Sequence, residues 1–230
     1  MKIRNCCIVA LSIPTAILYA APSYAVTPRE MLTQAAFQVA DKDRALAEVR
    51  QAIAMAEAQL ATDPGNYEAQ MQRAAGLGYR AKLTRNAGDA KTSRRLFEAL
   101  ASTNPRDPEA QMLIAGWHLD AISDLGGMLA GAVLGAKRAA GTAALDRAVA
   151  MGRTRAFFPG IAALMRIRLD PSDVAGARSL AESAASLPVQ SPLDRVAKRS
   201  AEALLVPLRA GDGKAAAALA KKLLPFGRLG

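Results

Sequence analysis

One phrase is written twice in this chain: Asp63-Pro64 leads into Glu68-Ala69-Gln70-Met71, and Asn104-Pro105 leads into Glu109-Ala110-Gln111-Met112. Each copy is a proline-marked stop followed by a fresh helix start, and the stretch between them divides into two helices around Gly88-Asp89. A fixed period of this size is the signature of helical-repeat arrays, whose units bury their apolar faces only against neighbouring units. Such arrays usually bind other proteins rather than catalyse. The phrase therefore constrains architecture and mode of action together.

The first 25 residues read as an export signal. Lys2 and Arg4 form a positive head, Cys6 to Ala21 is mostly apolar, and Ser23-Tyr24-Ala25 presents the small residues a signal peptidase needs for cleavage before Val26. A retained anchor is the competing reading, but the apolar run is shorter than the roughly 20 residues that span a bilayer, and it contains Pro14. Cleavage removes both cysteines, so the mature chain has neither a disulfide nor a thiol nucleophile, in keeping with an oxidising, periplasmic location. It also removes two bases, lowering the net charge from +10 to +8. That charge could attract anionic lipid, nucleic acid or acidic proteins, yet acids and bases alternate as they do on solvated helix faces. Envelope association is expected and nucleic-acid binding is not, because only Tyr79 lies near the densest basic cluster to stack on a base.

Alanine and leucine dominate, and no window alternates with a period of two, so the expected fold is all-α. Apolar spacing predicts helices over 28–40, 44–61, 67–85, 90–102 and 109–125, then a glycine-rich tract over 126–141. Further helices follow over 142–151, 159–169, a stretch from 170 to 186, 193–210 and 214–224. Residues 26–230 form a single domain without a linker long enough to divide it. The expected arrangement is a superhelical stack of antiparallel helix pairs, about four units, capped at both ends. The tract carries Gly127, Gly131 and Gly135 at a close-packing spacing. It suits a snug helix or tight loop capping the Trp117 helix, or else a hairpin lying on a membrane.

The unit from Tyr67 to Pro105 resembles a tetratricopeptide repeat. Gly88-Asp89, the buried aromatic Phe97, the small Ser93 and the closing Pro105 stand at that family's spacings, while the first helix is two turns longer than its usual unit of about 34 residues. From Asn104-Pro105 through Gly116-Trp117-His118, the glycine tract with Lys137, and Leu145 to Met151, the chain is similar to the regulator-of-microtubule-dynamics group and its bacterial relatives. Periplasmic tetratricopeptide-like subunits of some solute transporters are a second resemblance. These resemblances imply a helical scaffold with structural rather than catalytic motifs.

Nothing in the sequence groups residues for catalysis. His118 is the sole histidine, Asp120 lies on a different helix face from it, and the carboxylates are scattered. No metal-ligand spacing, phosphate loop or dinucleotide fingerprint occurs. The chain is therefore read as non-catalytic and cofactor-free, an exported scaffold that holds a protein or peptide partner in a concave groove. Candidate groove residues, chosen because they share first-helix faces, are Gln70, Arg73, Leu77, Gln111, Ile114 and His118. The alternative is an accessory component of a periplasmic solute-transport system that binds a small ligand.

Overall fold

The computed structural model describes residues 26–229, so the expected leader lies outside the described residues. Among them the chain is all-helical, with eleven α-helices and no strand. These are α1 (Pro28–Phe37), α2 (Lys42–Thr62), α3 (Tyr67–Thr84), α4 (Ala87–Thr103), α5 (Pro108–Leu125) and α6 (Gly127–Leu134). They continue as α7 (Arg138–Met151), α8 (Phe157–Leu169), α9 (Val174–Ser186), α10 (Pro192–Arg209) and α11 (Gly213–Leu223).

Local chemistry sets most of these starts. Thr27 and Glu30 form a reciprocal capping box, and the side chains of Asp41, Asn66, Asn86, Asp107, Ser191 and Asp212 each accept a hydrogen bond from a first-turn N–H. Each such cap contributes about 1 kcal/mol. Pro28, Pro108 and Pro192 occupy first-turn positions, where the missing N–H costs nothing.

Several helix boundaries shift by two to four residues from the sequence expectation, and two of the shifts have a clear backbone cause. The break expected over Asn86-Ala87-Gly88-Asp89 narrows to Arg85-Asn86: Arg85 is left-handed at φ 59° and Asn86 supplies the cap. Gly88 and Asp89 therefore enter the first turn of α4, where the Asp89 carboxylate also pairs with Arg80 at 2.7 Å. The glycine tract contains a helix of its own. Gly126 (φ 80°) and Gly135 (φ 72°) adopt backbone conformations that suit glycine and bound α6 on both sides, and α7 begins four residues ahead of its expected start at Thr142.

Helices adjacent in sequence pack on one another from α1 to α5, α7 joins α5, and α6 lies over α5 and α4. In the second half α8 holds the centre, packing against α5, α7, α9, α10 and α11. Fully buried alanines such as Ala52, Ala74, Ala115, Ala144 and Ala162 line the seams and let helix backbones approach closely. Between them Val49, Phe97, Leu119, Phe158, Leu164 and Leu204 belong to one continuous apolar core.

The two ends of the fold meet. The Phe226 N–H donates to the Ala36 carbonyl at 2.7 Å, and its ring stands edge-on to Tyr79 with centroids 5.0 Å apart. Phe226 has φ 62°, an outlier for a bulky residue, held by burial and by that bond.

Ser93 sits at the crossing of α3 and α4, fully buried, and its hydroxyl has no hydrogen-bond partner among the described residues. Ser93→Ala is expected to be neutral or to stabilise the fold by about 1 kcal/mol, because it removes a desolvated polar group. A thermal melt that fell instead would show that the hydroxyl has a partner.

Candidate functional site

A cavity of about 420 Å³ lies among α1, α3, α5, α6 and α8, with Leu224 and Pro225 contributing from the chain end. Its volume lies within the range typical of small-molecule sites, about 300–1,000 Å³. Leu32, Phe37, Met112, Leu113, Ile161 and Met165 make its wall predominantly apolar. The repeated phrase reappears in this wall. Met71 and Met112 line it as equivalents, and so do the pairs Gln72 and Leu113, Ala75 and Gly116, Tyr79 and Asp120, and Lys82 and Ser123.

An ion network borders each end. Where the inner helices start, Arg29 bonds Glu68 at 2.6 Å and Glu109 at 2.7 Å, while Arg155 bonds the same Glu109 and reaches the buried Asp194 at 3.4 Å. Glu68 and Glu109 are the two glutamates of the repeated phrase, and one arginine holds both. Where the helices finish, Lys82 and Arg168 both bond Asp120 and Asp124, linking α3, α5 and α8. Acids therefore occupy the first turns of α3, α5 and α10, and bases occupy the last turns of α3 and α8, as the helix dipoles favour. Asp120 and Asp124 break that rule at the end of α5, and the two cations opposite them compensate.

The networks set the charge states. Burial works against the Arg29 cation, but hydrogen bonding to Glu68 and the nearby Glu109 charge hold its pKa above the usual value. Burial alone would raise the Asp124 carboxyl, and Lys82 and Arg168 outweigh it and hold the carboxyl below the ordinary range. Burial, reinforced by the Asp120 charge, pushes the Tyr79 phenol up, so it stays protonated at the cavity wall. Trp117, the only tryptophan in the chain, also lines the cavity, its Nε1–H donating to the Ala90 carbonyl at 2.8 Å with the Arg94 guanidinium over its ring.

None of the six residues chosen from the sequence lines this cavity. Gln70 donates to the Pro64 carbonyl, Arg73 pairs with Glu57 of α2, and Leu77 lies in the core. Gln111 accepts from Arg147 of α7, Ile114 packs on the core, and the buried His118 ring accepts the Lys137 N–H on Nδ1 at 3.2 Å. Each stands two residues before a lining position: 70, 73 and 77 before 72, 75 and 79, and 111, 114 and 118 before 113, 116 and 120. Each is also next in sequence to a lining residue, and one residue is a helix rotation of about 100°, which turns the side chain off the cavity. The apolar stripe through Met71, Ala75, Gly78, Lys82, Met112, Leu113, Gly116 and Trp117 held the signal, because those positions do line the cavity.

His118 instead fastens the junction of α6 and α7. Burial, then the charges of Arg94 and Lys137, lowers its pKa below the ordinary 6.5. The unfolded chain binds the proton more readily than the folded one, so stability should be complete above pH 6.5 and fall as the pH drops below it. His118→Gln is expected to flatten this dependence in thermal melts between pH 7.5 and about 5. An unchanged slope would assign the dependence to another group.

No cluster of His, Cys, Asp or Glu suited to a metal occurs among the described residues, and none of their helices is long and apolar enough to cross a membrane. Comparison with family models, with curated proteins and with solved structures finds no match.

Proposed function

We propose that this chain is an exported, non-catalytic ligand-binding protein, a tetratricopeptide-like stack of antiparallel helix pairs closed around an interior site for a small amphiphile. Short connections support the antiparallel pairing of α1 with α2, α3 with α4, α8 with α9 and α10 with α11, with α5 paired to α7 across the inserted α6. The meeting of α3, α5 and α10 first turns at one ion network supports a common direction for the inner helices. That makes five pairs rather than about four.

The observation that carries the function is the cavity: an apolar chamber with charged groups at its ends and Leu224 and Pro225 in its wall. This favours a solute-binding accessory role over peptide capture, because Leu224 and Pro225 stand in the cavity wall and would obstruct an extended peptide there. An apolar body would fill the wall of Met, Leu and Ile side chains, and a polar head would meet the Lys82–Asp120–Asp124–Arg168 network.

Titration with laurate tests this, with Trp117 emission as the readout. A saturable change is expected. Gly116→Leu should abolish it, because a Cβ at position 116 comes 3.4 Å from the flexible Met165 Cε and the longer side chain fills the chamber. Leucine is a better helix former than glycine by about 1 kcal/mol, so the variant should melt no lower than the parent. An identical laurate response in the parent and a folded variant would reject the cavity as the site.

A further inference from the structure

We propose that the outer face of α6 docks the protein on an anionic membrane surface. All eight residues of α6 are apolar or glycine, and three large ones face solvent: Met128 is 92% exposed, Leu129 51% and Val133 44%. Grouped apolar exposure of this kind on one short helix marks an interaction surface. The helix is about 12 Å long, too short to cross a bilayer but suited to lying in its interface.

The surrounding charge selects the occupant. No acidic residue occurs between Asp124 and Asp146, while Lys137 and Arg138 follow α6 directly and are exposed. Arg94 of α4, paired with Glu98 at 2.8 Å, donates to the Leu134 and Gly135 carbonyls at the end of α6, and α4 also carries the exposed Lys91 and Arg95. Asp124, the nearest acid in sequence, is engaged by Lys82 and Arg168. Apolar side chains set among bases complement an anionic headgroup layer. A second copy placed symmetrically on this face would bring the same bases toward one another. Leu129 and Val133 also line the cavity, so a docked α6 would set its mouth against the lipid.

Pelleting with vesicles tests the proposal, using the chain that begins at Val26. Vesicles of phosphatidylglycerol should carry the protein down, phosphatidylcholine vesicles should not, and added salt should release it. Met128→Asp/Val133→Asp, at positions already exposed, should lower partition about tenfold or more while leaving the thermal melt unchanged. Met128→Asp alone, at a position outside the cavity, should lower it in the same direction. Absent binding, equal binding to both lipids, or binding untouched by folded variants overturns the proposal. So does a parent dimer that the double substitution breaks, because that gives the face to a second copy. Pelleting does not depend on laurate uptake, so the docking and cavity readings can fail separately.

Discussion

Asp194→Ala should destabilise the fold by about 3–5 kcal/mol, the cost of removing one partner from a buried charge pair. Asp194 has no exposed surface, and its carboxylate accepts the Phe157 N–H at 3.1 Å and the Ser191 hydroxyl at 2.7 Å while Arg155 stands 3.4 Å away. Alanine would leave the Phe157 N–H and one side of Arg155 without a partner. It would also free the loop that delivers Phe157 and Phe158 to the core, because Arg155 lies over both rings. Total stabilities of about 5–15 kcal/mol make this a large fraction, and melting should fall by about 10 °C or more. Asp194→Asn preserves the shape and one acceptor and should cost less. An alanine variant that melted within about 2 °C of the parent would show that the carboxylate does not hold this loop.

Gly213→Ala should have the next largest effect. A Cβ at position 213 would lie 1.8 Å from the Pro171 carbonyl oxygen and 2.9 Å from Val174 Cγ2, and a backbone oxygen cannot rotate aside. The first turn of α11 must then withdraw from the turn between α8 and α9, at a cost of about 3 kcal/mol. Because α11 leads directly into Leu224, Pro225 and Phe226, the substitution should also weaken the laurate response of Trp117 more than its stability cost alone would. Gly127→Ala is the control, since nothing stands within 4 Å of its added Cβ. Equal melting of the two variants would mean that the contact at Gly213 relaxes freely.

Helix content and most boundaries were legible because caps and prolines are local. Thr27, Asn66 and Asp107 announce starts that depend only on their own next turn. The face assignment was less legible. The repeated Met71 and Met112 marked the inner side, but the groove residues rest on a shared helix face, and of these Arg73, Gln111 and His118 bond to other segments, Gln70 to its own preceding turn, and Leu77 and Ile114 pack in the core. Nothing local predicts that Arg29 holds both repeated glutamates, or that Asp194 receives the loop before α8, because those pairs join residues about forty positions or more apart in the chain. A snug helix in the glycine tract was among the expectations, but its bounds at 127 and 134 were obscured, because the positive φ values of Gly126 and Gly135 become apparent only from the backbone.

The bond from Phe226 to Ala36 bears on how the molecule comes apart. In an open row of units the terminal ones can fray while the middle persists, so unravelling is gradual. Here α1 and the segment that follows α11 clasp each other, and neither can peel away without parting that seam. Denaturant should therefore remove structure in one sigmoid step, with amide hydrogens in α1 and α11 exchanging as slowly as those in α5.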